Sequence, residues 1–212
     1  MGIRHQIDEL FFDNWSAEMA YVLGLWYADG YMRIDKSYRI SIASNDRELL
    51  MSVLQAMQAS QPISKHKERC WRITICSKRL YGQLLALGCR PHKSYAMTFP
   101  LVPNPYLPDF IRGYFDGDGS VFYVNYKSTK DKISRSELRS NFTSGSERFL
   151  SQLRLILNQV LGLTLKKFGF YNNGGSIKLG YGTKDTKKLL HYLYYLGFTI
   201  GLARKARFVN YV

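Results

Sequence analysis

Apolar and polar positions along the chain switch between two periods, and the switches recur in a fixed order. After Ser16, a good N-cap residue, apolar residues run at helical spacing to about Ala28. Residues 31–44 then alternate like a hairpin, with Tyr38, Ile40 and Ile42 on one face and Arg39 and Ser41 on the other. Asn45 or Asp46 is placed to cap a second helix through about Gln58. A second strand pair ends in Cys70-Trp-Arg-Ile-Thr-Ile-Cys76, where Trp71, Ile73 and Ile75 alternate with Arg72 and Thr74, and a helix from Lys78 to about Leu87 stops at Gly88.

The same order returns further along. A helix is predicted from Pro108 into Gly117, then strands over 120–127 and 135–143, a helix over 146–161, strands over 163–170 and 176–181, and a helix over 184–196 stopped by Gly197. Between the two series, Pro100, Pro103, Pro105 and Pro108 form a stretch that continues neither helix nor central strand and reads as a stiff linker. The predicted organisation is α+β, two αββαββα repeats, with halves at 1–99 and 109–212 and a linker at 100–108. Local echoes support duplication: Leu84-Leu-Ala-Leu-Gly88 resembles Leu193-Tyr-Tyr-Leu-Gly197.

Charge changes the picture most. Thirty Lys and Arg face sixteen Asp and Glu, a net +14, and the surplus is uneven: +4 over residues 1–100 and +10 over 101–212. A polyanionic partner follows, because each cation near a phosphate releases a condensed counterion. Charge alone leaves RNA, DNA and an anionic membrane surface open. The start of the chain has no secretion or myristoylation pattern, and the longest uncharged run near the C-terminus, residues 189–203, is too short to span a bilayer. Cys70, Cys76 and Cys89 are odd in number, so a disulfide framework is not expected and a reducing intracellular compartment is. Buried thiols are the default reading; strung with His92 as zinc ligands, their gaps match no common structural site. His5, His66, His92 and His191 form no nucleophile or metal cluster, and Gly174-Gly175 reads as a hairpin turn.

The strand pattern places a polar, basic face opposite each apolar one, which fits a nucleic-acid saddle built from antiparallel sheets. Arg33, Arg39, Arg72, Arg135, Arg139, Asn141 and Lys178 are assigned to that face as DNA contacts; an ordinary solvated sheet face is the competing reading. The most informative segments are Val22-Leu-Gly-Leu-Trp-Tyr-Ala-Asp-Gly30 and Ile111-Arg-Gly-Tyr-Phe-Asp-Gly-Asp-Gly119. Asp118 falls 89 residues after Asp29, the repeat length. Each Asp closes a helix at its C-terminus, where the dipole disfavours an anion, just before a glycine suited to the left-handed cap conformation. Two such carboxylates point to a bound cation. Gly24 and Ala28 on one helix, and Gly113 and Gly117 on the other, would let the helices pack backbone to backbone and bring the two acids together. Adjacent carboxylates repel unless one is protonated or a metal sits between them, and oxygen-only ligands on a phosphate-binding surface favour Mg²⁺, for which Mn²⁺ can substitute. A plain Asp-Gly turn after a buried helix is the alternative for one copy, less so for two.

Both segments resemble the signature of the LAGLIDADG homing endonucleases, and the pair resembles their single-chain, two-motif branch. The resemblance implies a saddle of two antiparallel sheets over a long, asymmetric double-stranded DNA site, with the motif helices packed at a pseudo-twofold axis. It implies cutting of both strands across the minor groove to leave 3′ overhangs, with divalent metal held by Asp29 and Asp118 and the adjoining Ala28 and Gly117. A basic residue near the end of each half polarises the scissile phosphate or its water; Lys93 matches that place in the first half, and Lys205 is the candidate in the second, at longer spacing from its glycine. Ser44 or Asn45 and Ser144 are candidates to order catalytic water. The sixth motif position, with a packing and capping role, is Asp116 in one copy and Tyr27 in the other. Arg112 replaces a small residue and is expected to face away from the partner helix. The expectation is a monomeric, intron-encoded, Mg²⁺-dependent DNA endonuclease; an RNA maturase or DNA-binding regulator on the same fold, without cleavage, is the alternative.

Overall fold

The computed structural model describes residues 5–91, 97–127, 132–170 and 175–211, with Tyr211 described by its backbone alone. Ser16 begins the first helix as its side chain predicts: the hydroxyl accepts from the Met19 amide at 3.0 Å, and α1 runs Ala17–Asp29. Every residue from Met19 to Tyr27 is buried, so α1 is a core helix with no solvent face. It leads directly into β1 (Gly30–Ile34) and β2 (Tyr38–Ser44), followed by α2 (Arg47–Ala56), β3 (Ser64–Lys67), β4 (Cys70–Cys76) and α3 (Lys78–Ala86). The second series is α4 (Leu107–Asp118), β5 (Gly119–Lys127), β6 (Ser134–Ser144), α5 (Glu147–Leu161), β7 (Gly169–Phe170), β8 (Ile177–Tyr181) and α6 (Thr183–Leu193). The short α7 (Ala203–Ala206) and a 3₁₀ turn complete the described chain.

Each series forms a four-stranded antiparallel sheet, in the orders β1-β2-β4-β3 and β5-β6-β8-β7. Register puts Ile40 opposite Ile75 and Ile42 opposite Ile73, and Phe142 opposite Leu179, so one face of each sheet is apolar and covered by its own helices. The alternation expected for 38–44 and 70–76 holds, but Ser41 is buried although it sits on the polar side.

Packing groups the described residues into two compact units that interleave along the chain. One draws on Met1–Lys93, Pro100–Gly117 and Gly197–Leu202, the other on Ser94–Phe99, Asp118–Leu196 and Ala203–Val212. In this grouping α4 packs with the first unit because of its close approach to α1. The 100–108 linker contains a 3₁₀ turn at Asn104–Tyr106, and its last proline, Pro108, sits in the first turn of α4, where a missing N–H costs nothing. Tyr106 stacks on Trp15 with centroids 6.1 Å apart.

Three local expectations are corrected. Gly30 has φ −74° and ψ 143°, and Gly119 is not among the positive-φ residues, so neither motif glycine is a left-handed cap; each opens a strand. Glycine is required at 30 for a different reason, since a Cβ there would run into the Trp26 side chain and carbonyl. The strand expected over 163–170 shrinks to Gly169–Phe170, because side chains take the preceding backbone groups. Thr164 N donates to Asp185 at 3.3 Å, while Asn158 and Arg154 donate to the carbonyls of Leu163 and Lys166 at 2.8 and 2.9 Å. The last long helix ends at Leu193, and Gly197 takes its positive φ, +90°, in the turn beyond.

Candidate active site

The two motif helices touch main chain to main chain. A Cβ on Gly24 would overlap the Phe110 carbonyl oxygen and come within 2.9 Å of the Tyr114 amide nitrogen. One on Gly113 would overlap the Tyr21 carbonyl and come within 2.9 Å of the Leu25 amide nitrogen. Only glycine permits this approach. One turn further, a Cβ on Gly117 would overlap that of Ala28 and stand 2.8 Å from Asp29 Oδ2. The Asp29 carboxylate therefore lies against Gly117, the residue before Asp118, on the side that glycine leaves open. Asp29 is exposed and Asp118 half-buried, each the last residue of its helix.

The sixth motif positions are both buried and both reach the segment where the candidate lysine lies. Tyr27 donates its hydroxyl to the Leu87 carbonyl at 2.8 Å, and its ring meets Phe110 edge-on at 5.3 Å. The neighbouring Gly88 has φ +92°, and a Cβ there would strike the Tyr27 hydroxyl. Asp116 accepts from the Tyr21 hydroxyl at 2.8 Å and from the Leu202 amide at 2.9 Å. Burial, then the Asp116 charge, push the Tyr21 phenol well above its ordinary range, so it stays a donor.

Arg112 corrects its expected orientation. It is fully buried, with its guanidinium 5.2 Å from the Tyr21 ring centroid of the partner helix and 5.0 Å from that of Phe198. It donates to Asp109 at 2.7 Å and, through Nε, to the Ile200 carbonyl at 2.8 Å. Lys205 is buried at 3% exposure, its ammonium 2.7 Å from the carbonyl oxygen of Gly119, the residue after Asp118. Lys93 lies outside the described residues, as do His92 and Gly174.

The basic face is present in each sheet, with one correction. Arg33 stands opposite Arg39 in the β1–β2 register, and Asp35 sits 3.4 and 3.6 Å from them. Arg72 shares that face and contacts the His66 ring. In the second sheet, Arg135 and Arg139 are exposed, and the Lys178 ammonium lies 5.8 Å from the Phe122 ring centroid. Asn141 shares their strand parity but is 4% exposed, enclosed between β5 and β8 in mid-sheet, so it offers little surface to a ligand. Lys166, missed because its segment reads as strand, joins Arg139, Lys178 and Phe122 around a hollow of about 470 Å³.

The hydroxyls of Ser44 and Ser144 accept from the amides of Asp46 and Ser146 at 3.1 and 3.0 Å, fixing the turns into α2 and α5. Of the three free cysteines only Cys89 is buried, and among the described residues no three His, Cys, Asp or Glu side chains gather as a metal-binding cluster. Among those residues, too, no helix is long and apolar enough to cross a membrane.

These features define a class: a single chain of two αββαββα repeats, each opening on a glycine-bearing helix that ends in aspartate. The chain belongs to the LAGLIDADG-like domain family, whose model matches residues 16–86 and 107–193. Solved structures share the fold at low sequence identity. I-SmaMI bound to an uncleaved DNA target with calcium ions is 15% identical over 93% of this chain and 90% of its own, with a TM-score of 0.62. I-AabMI bound to uncleaved DNA is 14% identical over 90% and 87%, with a TM-score of 0.65. I-SmaMI bound to cleaved DNA is 15% identical over 93% and 88%, with a TM-score of 0.64. No curated protein matches the chain by sequence.

Proposed function

We propose that the protein is a site-specific endonuclease that binds a long, asymmetric double-stranded DNA target and cuts both strands, leaving 3′ overhangs. The observation that carries this reading is the Asp29 carboxylate lying against Gly117 where α1 and α4 meet at their glycines, one residue from the equivalent Asp118. Family membership and the DNA-bound structures of I-SmaMI, one with calcium and one with cleaved DNA, support it. Two motifs in one chain supply both carboxylates, so a monomer suffices. Three free thiols fit a reducing intracellular compartment.

The donor set fits a hard divalent cation. Asp29 and Asp118 offer carboxylate oxygens, Ala28 and Gly117 offer main-chain carbonyls, and no Cβ on Gly117 fills the space beside Asp29. Mg²⁺, or Mn²⁺ in its place, bound there would lower the pKa of its water and offset charge on the leaving oxygen. The chain's own residues do the rest. The basic faces, Arg33, Arg39 and Arg72 in one sheet and Arg135, Arg139, Lys166 and Lys178 in the other, hold phosphates and set the register of the duplex. Lys205, from its place at the Gly119 carbonyl, and Lys93 in the first half polarise the scissile phosphate or its water.

The test is cleavage of a target selected from a randomised duplex library, with Mg²⁺ or with EDTA. Asp29→Asn and Asp118→Asn should each lower double-strand cutting by about a thousandfold or more while leaving DNA affinity within a few-fold. Undiminished double-strand cutting by either variant would falsify the metal-site assignment. Tight DNA binding by the wild type with no cutting in any divalent metal would favour a regulator, and preference for folded RNA a maturase.

A further inference from the structure

The stretch leading into Lys205 is held to the second motif at two levels. Residues 198–202 form a strap. Ile200 accepts from Arg112 Nε at 2.8 Å, and the Leu202 amide donates to Asp116 at 2.9 Å. Phe198 lies against the Arg112 guanidinium, with its ring centroid 5.0 Å away. Three residues past Leu202, Lys205 donates to the carbonyl of Gly119, which is three residues past Asp116. The stretch 116–119, with Asp118 inside it, is therefore gripped at both ends by the stretch 202–205. The strap also accounts for the longer spacing of Lys205 from Gly197 than of Lys93 from Gly88.

Arg112 is the member of this set whose presence is hardest to explain by stability. A buried ion pair contributes little net stability against an apolar replacement of the same volume. Its planar fork nevertheless reaches Asp109 on its own helix and the strap carbonyl together, with aromatic rings at both Tyr21 and Phe198, a geometry that lysine cannot reproduce.

We propose that Arg112 is a positioning residue: by clamping the strap at Ile200 it fixes the chain entering α7 and so holds the Lys205 ammonium on the Gly119 carbonyl, one residue past Asp118. The consequence for cutting rests on the reading above that Lys205 serves the cleavage reaction; the positional part does not.

Two measurements on the full chain separate these. Amine labelling read by mass spectrometry should find Lys205 among the slowest lysines in the wild type, and Arg112→Met should raise its labelling by about tenfold while other lysines change little. Single-turnover cutting at saturating DNA should fall about ten- to a hundredfold in Arg112→Met with DNA affinity within twofold, the size of loss expected from misplacing a reacting group. The double variant Arg112→Met/Lys205→Met should cut no more slowly than Lys205→Met alone, because one residue acts through the other. Arg112→Lys, which keeps a cation beside Asp109, should fall between wild type and Arg112→Met, and carries the same readings if Arg112→Met does not fold. Unchanged Lys205 labelling in the variants, or multiplicative losses in the double variant, would overturn the proposal. Raised labelling with undiminished cutting in both Arg112→Met and Lys205→Met would uphold the clamp and reject the catalytic reading of Lys205.

Discussion

The sixth residue of each motif helix solves the same problem with different chemistry. In the first copy Tyr27, a neutral phenol, donates its hydroxyl to the Leu87 carbonyl. In the second, Asp116 accepts two bonds, one from Tyr21 and one from Leu202, and is followed around the helix by the Arg112–Asp109 pair and the strap. Duplication kept the frame of helix, hairpin and helix, while the polar anchors diverged. Main-chain packing at Gly24 and Gly113 tolerates no substitution, whereas an anchor can be rebuilt from any donor–acceptor pair that leaves no buried group unsatisfied.

If the second anchor is a carboxylate shared by two buried donors and the first a neutral phenol on a carbonyl, their removal must cost unequal amounts. Asp116→Ala should destabilise by about 3–5 kcal/mol, because it strips two buried donors of a charged acceptor at once. Tyr27→Phe should cost about 1 kcal/mol, the net value of one neutral hydrogen bond, since the ring and its packing on Phe110 remain. Urea unfolding at constant slope measures both. Equal losses would break the contrast and mean that the Leu202 amide finds another acceptor when Asp116 is gone.

How far this was legible beforehand follows from where the partners lie in the chain. The order of helices and strands is written in local period, and both glycine contacts are written in four-residue spacing of small residues, so both are readable. Arg112 is not. Its neighbours on the helix mark it as a solvent-facing exception, and what makes burial possible is the Ile200 carbonyl and the Phe198 ring, more than eighty residues on. Asn141 shows the converse: alternation assigns its face correctly, but whether a mid-sheet position is open depends on strands paired on both sides. The segment over 163–168 reads as strand because its apolar positions are strand-like, yet Asp185, Arg154 and Asn158 take its backbone groups before a ladder forms.

The smallest expected effect concerns the two basic faces, where Asp35 in the first and Glu137 in the second stand among arginines. Asp35 is shared between Arg33 and Arg39, and Glu137 accepts from Arg139 at 2.9 Å and from the Tyr126 hydroxyl at 2.7 Å. The Tyr126 bond first, then Arg139, hold the Glu137 carboxyl below its ordinary range; for Asp35 the main cause is the Ser37 amide, followed by Arg39 and Arg33. With folded values depressed, each pairing is complete above the ordinary carboxylate range, about pH 4, and is lost only as pH falls through the lowered value. Across pH 6–8 both acids are therefore charged and repel an incoming phosphate. Glu137→Gln should tighten DNA binding by about two- to fivefold at low salt, the scale of a surface charge, and the gain should fade as salt rises. Asp35→Asn is the matched change in the first sheet. Anisotropy titrations at several salt concentrations and at pH 6 and 8 check both, and the gain should not depend on pH in that range. Weaker binding by Glu137→Gln would show that the carboxylate aims Arg139 at the duplex, in which case the second sheet's acid is part of its grip while the first sheet's merely screens.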